Sequence, residues 1–271
     1  KSRSSRKDEG VKLLEEGVKS LAAAGKKPRF TGYHDLSVST KVEGLLDAEG
    51  KRVNRLTAGE NGRLYVEITP FYAESGGQAG DRGEVLWQGG RAKVLATSVV
   101  AGKLVLHEIE VIEGSLVEQA EVTLVVDKER RQRVAAHHSA THLLHAALRK
   151  HLGDHVKQAG SMVSSDRLRF DFTHFSPLTQ EQIEEIEFLV NQQIWQNSPV
   201  TTRILQRDDA LKEGAMALFG EKYEESVRVV SMDDFSKELC GGTHVTATGE
   251  IGVCKIISEG GVASGVRGIE A

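Results

Sequence analysis

His137–His145 reads H-H-S-A-T-H-L-L-H and lies in an apolar pattern of helical spacing with Val134, Leu144 and Leu148. The step from His138 to His142 puts both imidazoles on one face of that helix, where they can share a ligand. Far downstream, Cys240–His244 reads C-G-G-T-H. It repeats the step around two glycines, which let the backbone curl until the Cys240 and His244 side chains converge. Together these four residues form a candidate His-His-Cys-His set, with nitrogen and sulfur donors of the kind that suits zinc.

The rest of the composition narrows the function class. The chain has 271 residues, 39% hydrophobic and 27% charged, which is ordinary for a globular protein and long enough to split into two domains. No run of eighteen apolar residues exists, so no membrane-spanning helix is expected. Lys1 to Glu9 is basic and polar, with no apolar core behind it to make a signal peptide. The first residue is not Met, which leads to the expectation of a piece of a longer protein. With a net charge of −4, any nucleic-acid contact has to come from a local basic patch. Two cysteines, Cys240 and Cys254, exclude a disulfide scaffold and suit a reducing, cytoplasmic compartment. Of the 10 histidines, six (His137, His138, His142, His145, His151, His155) crowd into one short stretch.

Working outward, Asp127 is placed to N-cap the histidine helix, which is expected to run to about Leu152. Its first turns hold Arg130, Arg131 and Arg133, the densest basic cluster in the chain; they read as a solvated face or as a nucleic-acid contact. Upstream, residues 31–127 read as a small antiparallel β-barrel. The expected strands are Leu36–Leu46, Leu64–Thr69, Gly83–Trp87, Ala92–Val99, Leu104–Val111 and Val122–Val126, separated by glycine and Asp/Asn clusters. Inside it T-P-F-Y-A-E-S-G-G-Q-A-G-D-R-G, Thr69 to Gly83, is a turn-rich loop, either a barrel corner or a substrate contact. Residues 1–30 read as a helical lead-in from a preceding domain, with a helix over Glu9–Ala24. Downstream, residues 128–271 mix elements without β-α-β alternation. Strands are expected at His155–Val163, Leu168–Phe172, Val200–Leu205, Ser226–Met232, Gly252–Ser258 and Gly265–Ile269. A capping box at Thr179–Gln182 opens a helix through Trp195, a short helix spans Arg207–Glu213, and a glycine-bounded segment spans Gly214–Gly220. The fold class is α+β.

Zinc chemistries can be separated by neighbouring residues. A zincin needs Glu directly after its first histidine, and that position is Ser139. Nucleobase deaminases need C-x-x-C and a Glu beside the histidine, and both are missing. Four protein ligands would close the coordination of zinc, which by itself argues for a structural ion. His137 and His145 read as core residues or as supports of the ligands. Thr141 either packs the helix or offers a hydroxyl, and Gln158 is either a surface amide or the holder of a water or carbonyl. Cys254 reads as a buried strand cysteine.

H-S-A-T-H-L-L-H-A-A-L-R, V-K-Q-A-G-S, L-R-F-D-F, G-A-M-A-L-F-G-E-K-Y and E-L-C-G-G-T-H occur in this order. With T-P-F-Y-A-E-S-G-G-Q upstream, and K-I-I-S-E and G-V-R-G-I-E-A downstream, they resemble the editing domain of bacterial alanyl-tRNA synthetases from about Thr31 onward. Free-standing trans-editing proteins and the editing domain of threonyl-tRNA synthetases share the H-x-x-x-H and C-x-x-x-H pairs. The resemblance implies a β-barrel followed by an α+β editing core of the threonyl/alanyl type. It implies Zn2+ held by His138, His142, Cys240 and His244, with Gln158 and Thr141 beside the mischarged amino acid. The reaction implied is hydrolysis of the ester joining serine or glycine to the 3′ end of tRNA(Ala). On that reading, backbone amides near Gly241 and Gly242 hold the carbonyl, and Arg130, Arg131 and Arg133 meet acceptor-stem phosphates. The aminoacylation module that binds ATP and magnesium is expected elsewhere in the full-length enzyme.

Overall fold

Every second residue of Glu121–Val126 is buried, and the same alternation recurs through the upstream strands; their inward side chains fill one barrel. The computed structural model describes residues 14–23, 28–101, 104–217 and 224–271, which form two units. The first unit comprises residues 1–75 and 80–131. Its barrel has six antiparallel strands: β1 (Ser37–Asp47), β2 (Asn61–Val66), β3 (Gly83–Trp87), β4 (Gly90–Val100), β5 (Leu104–Glu113) and β6 (Glu121–Val126). Neighbours run β6-β3-β4-β5-β2-β1, and β6 pairs back onto β1 to close the ring. Val42, Leu64, Val66, Val85, Ile109, Val111 and Leu124 form its core. Closure removes exposed strand edges.

Part of the expected Glu9–Ala24 helix lies outside the described residues. Over 14–23 it is helical (α1) and buries Val18 and Leu21 against Leu46, Tyr65, Leu104 and Leu106.

His107, on β5, is fully buried in this unit. Its Nδ1–H donates to the Leu64 carbonyl at 3.2 Å, and its Nε2 meets the Thr69 hydroxyl at 2.8 Å. Burial pushes its pKa down to about 4, against a backbone hydrogen bond that favours the charged form. Below pH 6.5 the unfolded chain therefore binds a proton that the folded barrel refuses until about pH 4, so stability falls as pH falls through that window. Between pH 7 and 5, wild type should lose about 2 kcal/mol more than His107→Gln in urea denaturation. Equal losses would show that this imidazole is not held neutral.

The second unit comprises residues 76–79 and 132–271. Helix α2 (Lys128–Leu152) begins where the Asp127 carboxylate accepts from the Arg130 amide at 3.0 Å. An antiparallel sheet runs β7 (Gln158–Val163), β8 (Leu168–Thr173), β13 (Val266–Glu270), β12 (Ser258–Ala263) in spatial order. Helix α3 (Gln180–Gln196) has the full capping box between Thr179 and Gln182. Leu144 and Leu148 of α2, Phe170 and Phe172 of β8, and Ile186 and Val190 of α3 share one core. A second sheet runs β9 (Val200–Gln206), β10 (Ser226–Met232), β11 (Ser236–Leu239), with the short helix α4 (Arg207–Lys212) after β9. The stretch 218–220 of the expected Gly214–Gly220 segment lies outside the described residues, as does the end of the motif through Tyr223.

The strand expected at Gly252–Ser258 is displaced to Ser258–Ala263. Cys254 and Ile256 are buried and Val253 and Ile257 exposed, so the alternation is real. The backbone partner, however, is a helix. Asn191 of α3 accepts from the Cys254 amide at 2.9 Å and donates to its carbonyl at 2.8 Å, and Glu187 accepts from the Ile256 amide at 2.7 Å. Side-chain amide and carboxylate groups thus replace a ladder. Cys254 is buried as expected but in this unpaired segment; burial, reinforced by Glu187, pushes its thiol up to about 11. It is chemically quiet. No described helix is long and apolar enough to cross a membrane.

Candidate metal centre

His138 and His142 stand one turn apart on α2, and Cys240 and His244 lie in the loop that follows β11. One donor atom from each lies within 4.8 Å of every other. Cys240 Sγ is 3.5 Å from His138 Nε2 and 3.4 Å from His244 Nε2. The three imidazole centroids are 4.4 to 5.2 Å apart. His138 and His142 are buried, and the other two are half-buried.

The opposite ring nitrogens are each faced by an oxygen. His138 Nδ1 lies 2.7 Å from Gln78 Oε1. His244 Nδ1 lies 3.1 Å from Ser139 Oγ, which also accepts from the Val245 amide. His142 Nδ1 is 3.1 Å from Glu238 Oε2, an ion-pair distance off the line of a good hydrogen bond. The other Glu238 oxygen takes His145 Nδ1 at 2.9 Å. Protons held on the Nδ1 side leave the Nε2 lone pairs facing the cluster, the arrangement that outer partners of metal-binding histidines impose.

Electrostatics favour neutral ligands. Burial pushes His138 and His244 well below the usual imidazole range, and neighbouring histidines and Arg228 push the same way. Burial also lowers His142, although Glu238 opposes the shift. For Glu238, burial alone would raise the carboxyl, but His142, His145 and Arg149 together hold it below its ordinary value. Neutral imidazoles at neutral pH are what a cation needs.

The loop is built tightly around the donors. Arg228 on β10 donates to the carbonyls of Cys240 at 3.0 Å and Gly242 at 2.9 Å. A Cβ on Gly242 would lie 2.1 Å from His138 Cε1, so only glycine fits. The Gly242 amide is directed to Cys240 Sγ at 3.4 Å. This corrects its expected role, because that N–H serves the sulfur and is not left to hold a carbonyl. Gly241 is exposed.

Thr141 is buried, and its hydroxyl donates to the His137 carbonyl at 2.8 Å, the helix-packing alternative. Gln158 opens β7, half-buried, opposite Phe172, and takes no part in the hydrogen bonds that hold the four donors. His145 is a support that acts through Glu238, and His137 Nδ1 meets the Ser164 carbonyl at 2.8 Å.

The basic cluster divides. Arg133 is exposed, and Arg130 is half-buried with one N–H on the Gly80 carbonyl at 2.9 Å. Arg131 is a correction, since it is only 7% exposed and its guanidinium is committed to the Asp81 carboxylate and to the Gly32 and Pro70 carbonyls. No face of it is left for a phosphate.

Gln78, Glu238 and Arg228 were not singled out from sequence as supports of the site. Glu238 had a signal, because the alternation of β11 puts it on the inward side, where an unpaired carboxylate is costly.

Residues 1–130 match the family described as tRNA synthetases class II (A), and residues 227–270 match the threonyl and alanyl tRNA synthetase second additional domain. The chain is 49% identical over 259 residues to the alanine–tRNA ligase of Nitratidesulfovibrio vulgaris, covering 96% of this chain and 29% of that protein. It is 52% identical over 244 residues to that of Idiomarina loihiensis, covering 90% and 28%. It is 51% identical over 242 residues to that of Methylococcus capsulatus, covering 89% and 28%. The chain belongs to the alanyl-tRNA synthetase family. It spans less than a third of the length of these relatives. The second additional domain shared by alanyl and threonyl synthetases carries Arg228, Glu238, Cys240 and His244, while the α2 histidines lie between the two matched spans.

Proposed function

We propose that this part of an alanyl-tRNA synthetase is an editing hydrolase acting on tRNA(Ala) that carries serine or glycine. The observation that carries the reading is the convergence of one nitrogen from each of three imidazoles and one thiol, with an oxygen facing Nδ1 of each histidine. Such a donor set suits zinc, and tetrahedral zinc with ordinary bond lengths puts nitrogen and sulfur about 3.6 Å apart. The separations here are 3.4 and 3.5 Å.

The physical need is clear. A synthetase pocket for a small amino acid rejects an added hydroxyl poorly, and a second hydrolytic site restores accuracy. Zinc held by His138, His142, Cys240 and His244 would supply a fixed positive charge that holds α2 and the C-G-G-T-H loop in place beside the substrate. Around it, the Gln158 amide holds the ester carbonyl or the attacking water, the exposed Gly241 lines the approach, and Thr141 narrows the space beside the amino acid. Arg130 and Arg133 meet acceptor-stem phosphates. Closing the site against bulk water would strengthen each of these polar contacts.

The test is release of serine from seryl-tRNA(Ala) by the zinc-loaded chain, with alanyl-tRNA(Ala) as comparison. Serine should be released faster. Gln158→Ala should keep its zinc but hydrolyse about 10²-fold more slowly, as loss of one carbonyl-holding donor does. A zinc-loaded chain that binds the mischarged tRNA without cleaving it would instead be a zinc-stabilised RNA-binding module. Full activity in Gln158→Ala would remove that residue from the mechanism.

A further inference from the structure

We infer that Gln78 is a positioning residue of the metal centre, the one that decides which nitrogen His138 presents. This rests on reading the four donors as a metal site. Gln78 ends the S-G-G-Q run and is completely buried. Its segment is stitched to the edge of β7 as a short extra strand. Gln78 bridges Val163 in parallel, the Ala79 amide donates to the Val163 carbonyl at 2.9 Å, and the Val163 amide donates to the Gly77 carbonyl at 2.8 Å. Gly77 has φ +81°, and a Cβ there would lie 2.4 Å from the Ser161 carbonyl oxygen, so the approach requires glycine.

From that seat one amide serves both ligand pairs. Oε1 accepts from the Thr243 backbone N–H at 2.9 Å and meets His138 Nδ1 at 2.7 Å, while Nε2 donates to Thr243 Oγ1 at 2.9 Å. The orientation of the amide is forced. A backbone N–H is always a donor, so the group facing Thr243 N has to be the carbonyl oxygen. A carbonyl oxygen only accepts, so His138 Nδ1 has to carry the proton. Its Nε2 then keeps the lone pair, 3.5 Å from Cys240 Sγ. An unconditional backbone donor in the C-G-G-T-H loop thus fixes the tautomer of a ligand on α2 through a single side chain. Gly242 leaves no room for adjustment, because a Cβ there would lie 2.7 Å from Gln78 Oε1.

The full chain tests this with zinc alone. In chelator competition, Gln78→Met, which keeps the bulk but loses the acceptor, should bind zinc about 10–100-fold more weakly, the usual cost of an outer partner. Gln78→Glu restores an acceptor for both N–H groups and should return affinity to within about threefold of wild type. Independently of any variant, ¹⁵N-histidine NMR of the zinc-loaded wild type should show His138 protonated at Nδ1 and metallated at Nε2. Gln78→Met binding zinc as tightly as wild type, or His138 bound through Nδ1, overturns the assignment of Gln78 and leaves the metal site standing. A wild-type chain that takes up no zinc removes the metal reading and this inference with it.

Discussion

Arg131→Ala should destabilise the first unit by about 3–5 kcal/mol, the range for removing one partner of a buried ion pair. Asp81 is 1% exposed, and its carboxylate takes both the Arg131 guanidinium and the Tyr72 amide at 2.6 Å. Without the arginine, that amide is the only donor remaining among these contacts, and the Gly32 and Pro70 carbonyls each lose an N–H. The surroundings cannot relax easily. Gly80 packs so closely that a Cβ would sit 2.1 Å from the Thr97 carbonyl oxygen, and the Thr97 hydroxyl donates to the Asp81 carbonyl at 3.0 Å. The measurement is the urea midpoint of wild type, Arg131→Ala, Asp81→Ala and the double variant. Removing both charges should cost less than the sum of the two single losses, because neither then leaves the other stranded. A single-variant loss under about 1 kcal/mol would place the pair with ordinary surface ion pairs.

What sequence could and could not say follows from the range of each signal. Local signals read cleanly. Thr179 and Gln182 make the capping box in place, and the alternating strands from Ser37 to Val126 close into a barrel. The two four-residue ligand steps are local too, and their four side chains converge. Arg131 shows where composition misleads. Three arginines in four residues look like one basic patch, yet a helix turns about 100° per residue and sends them in different directions. Arg131, Ala135, His138, His142 and His145 lie on one buried stripe, which periodicity, applied to the arginines themselves, would have revealed. Residues 252–257 show a second limit, because alternation reports burial and not the identity of the backbone partner. The partners of the ligands lie beyond any local pattern. Gln78 is 60 positions from His138, and Glu238 is 93 from His145. Such pairings are set by tertiary placement and leave only the faint mark of a polar residue where an apolar one is expected.

Cys240→Ala should strip the chain of zinc and of ester hydrolysis together, whereas Cys254→Ala should keep both. Among the described residues Cys240 is the only sulfur in the donor cluster, and it contributes a charge that three neutral imidazoles cannot replace. A closed zinc site of this kind is worth about 10–16 kcal/mol, so an average ligand accounts for roughly a quarter of that, or about 10²–10³-fold in affinity. The loss should exceed that of Gln78→Met, which keeps all four donors and disturbs only the orientation of one. Cys254 lies in the core beside Asn191, with its thiol pushed up to about 11, and is not one of the four donors. Zinc per chain after dialysis and initial rates on seryl-tRNA(Ala) provide the comparison. Parallel loss in Cys240→Ala ties hydrolysis to the cluster. Loss of zinc with hydrolysis intact would assign the ion to holding α2 against the C-G-G-T-H loop and would move the chemistry to Gln158 and the exposed backbone at Gly241. That second outcome has its own physical basis. Arg228 holds the loop carbonyls, and Ser139 and Glu238 tie the loop and β11 to the helix through contacts of their own, so these fastenings do not depend on the ion's ligand bonds.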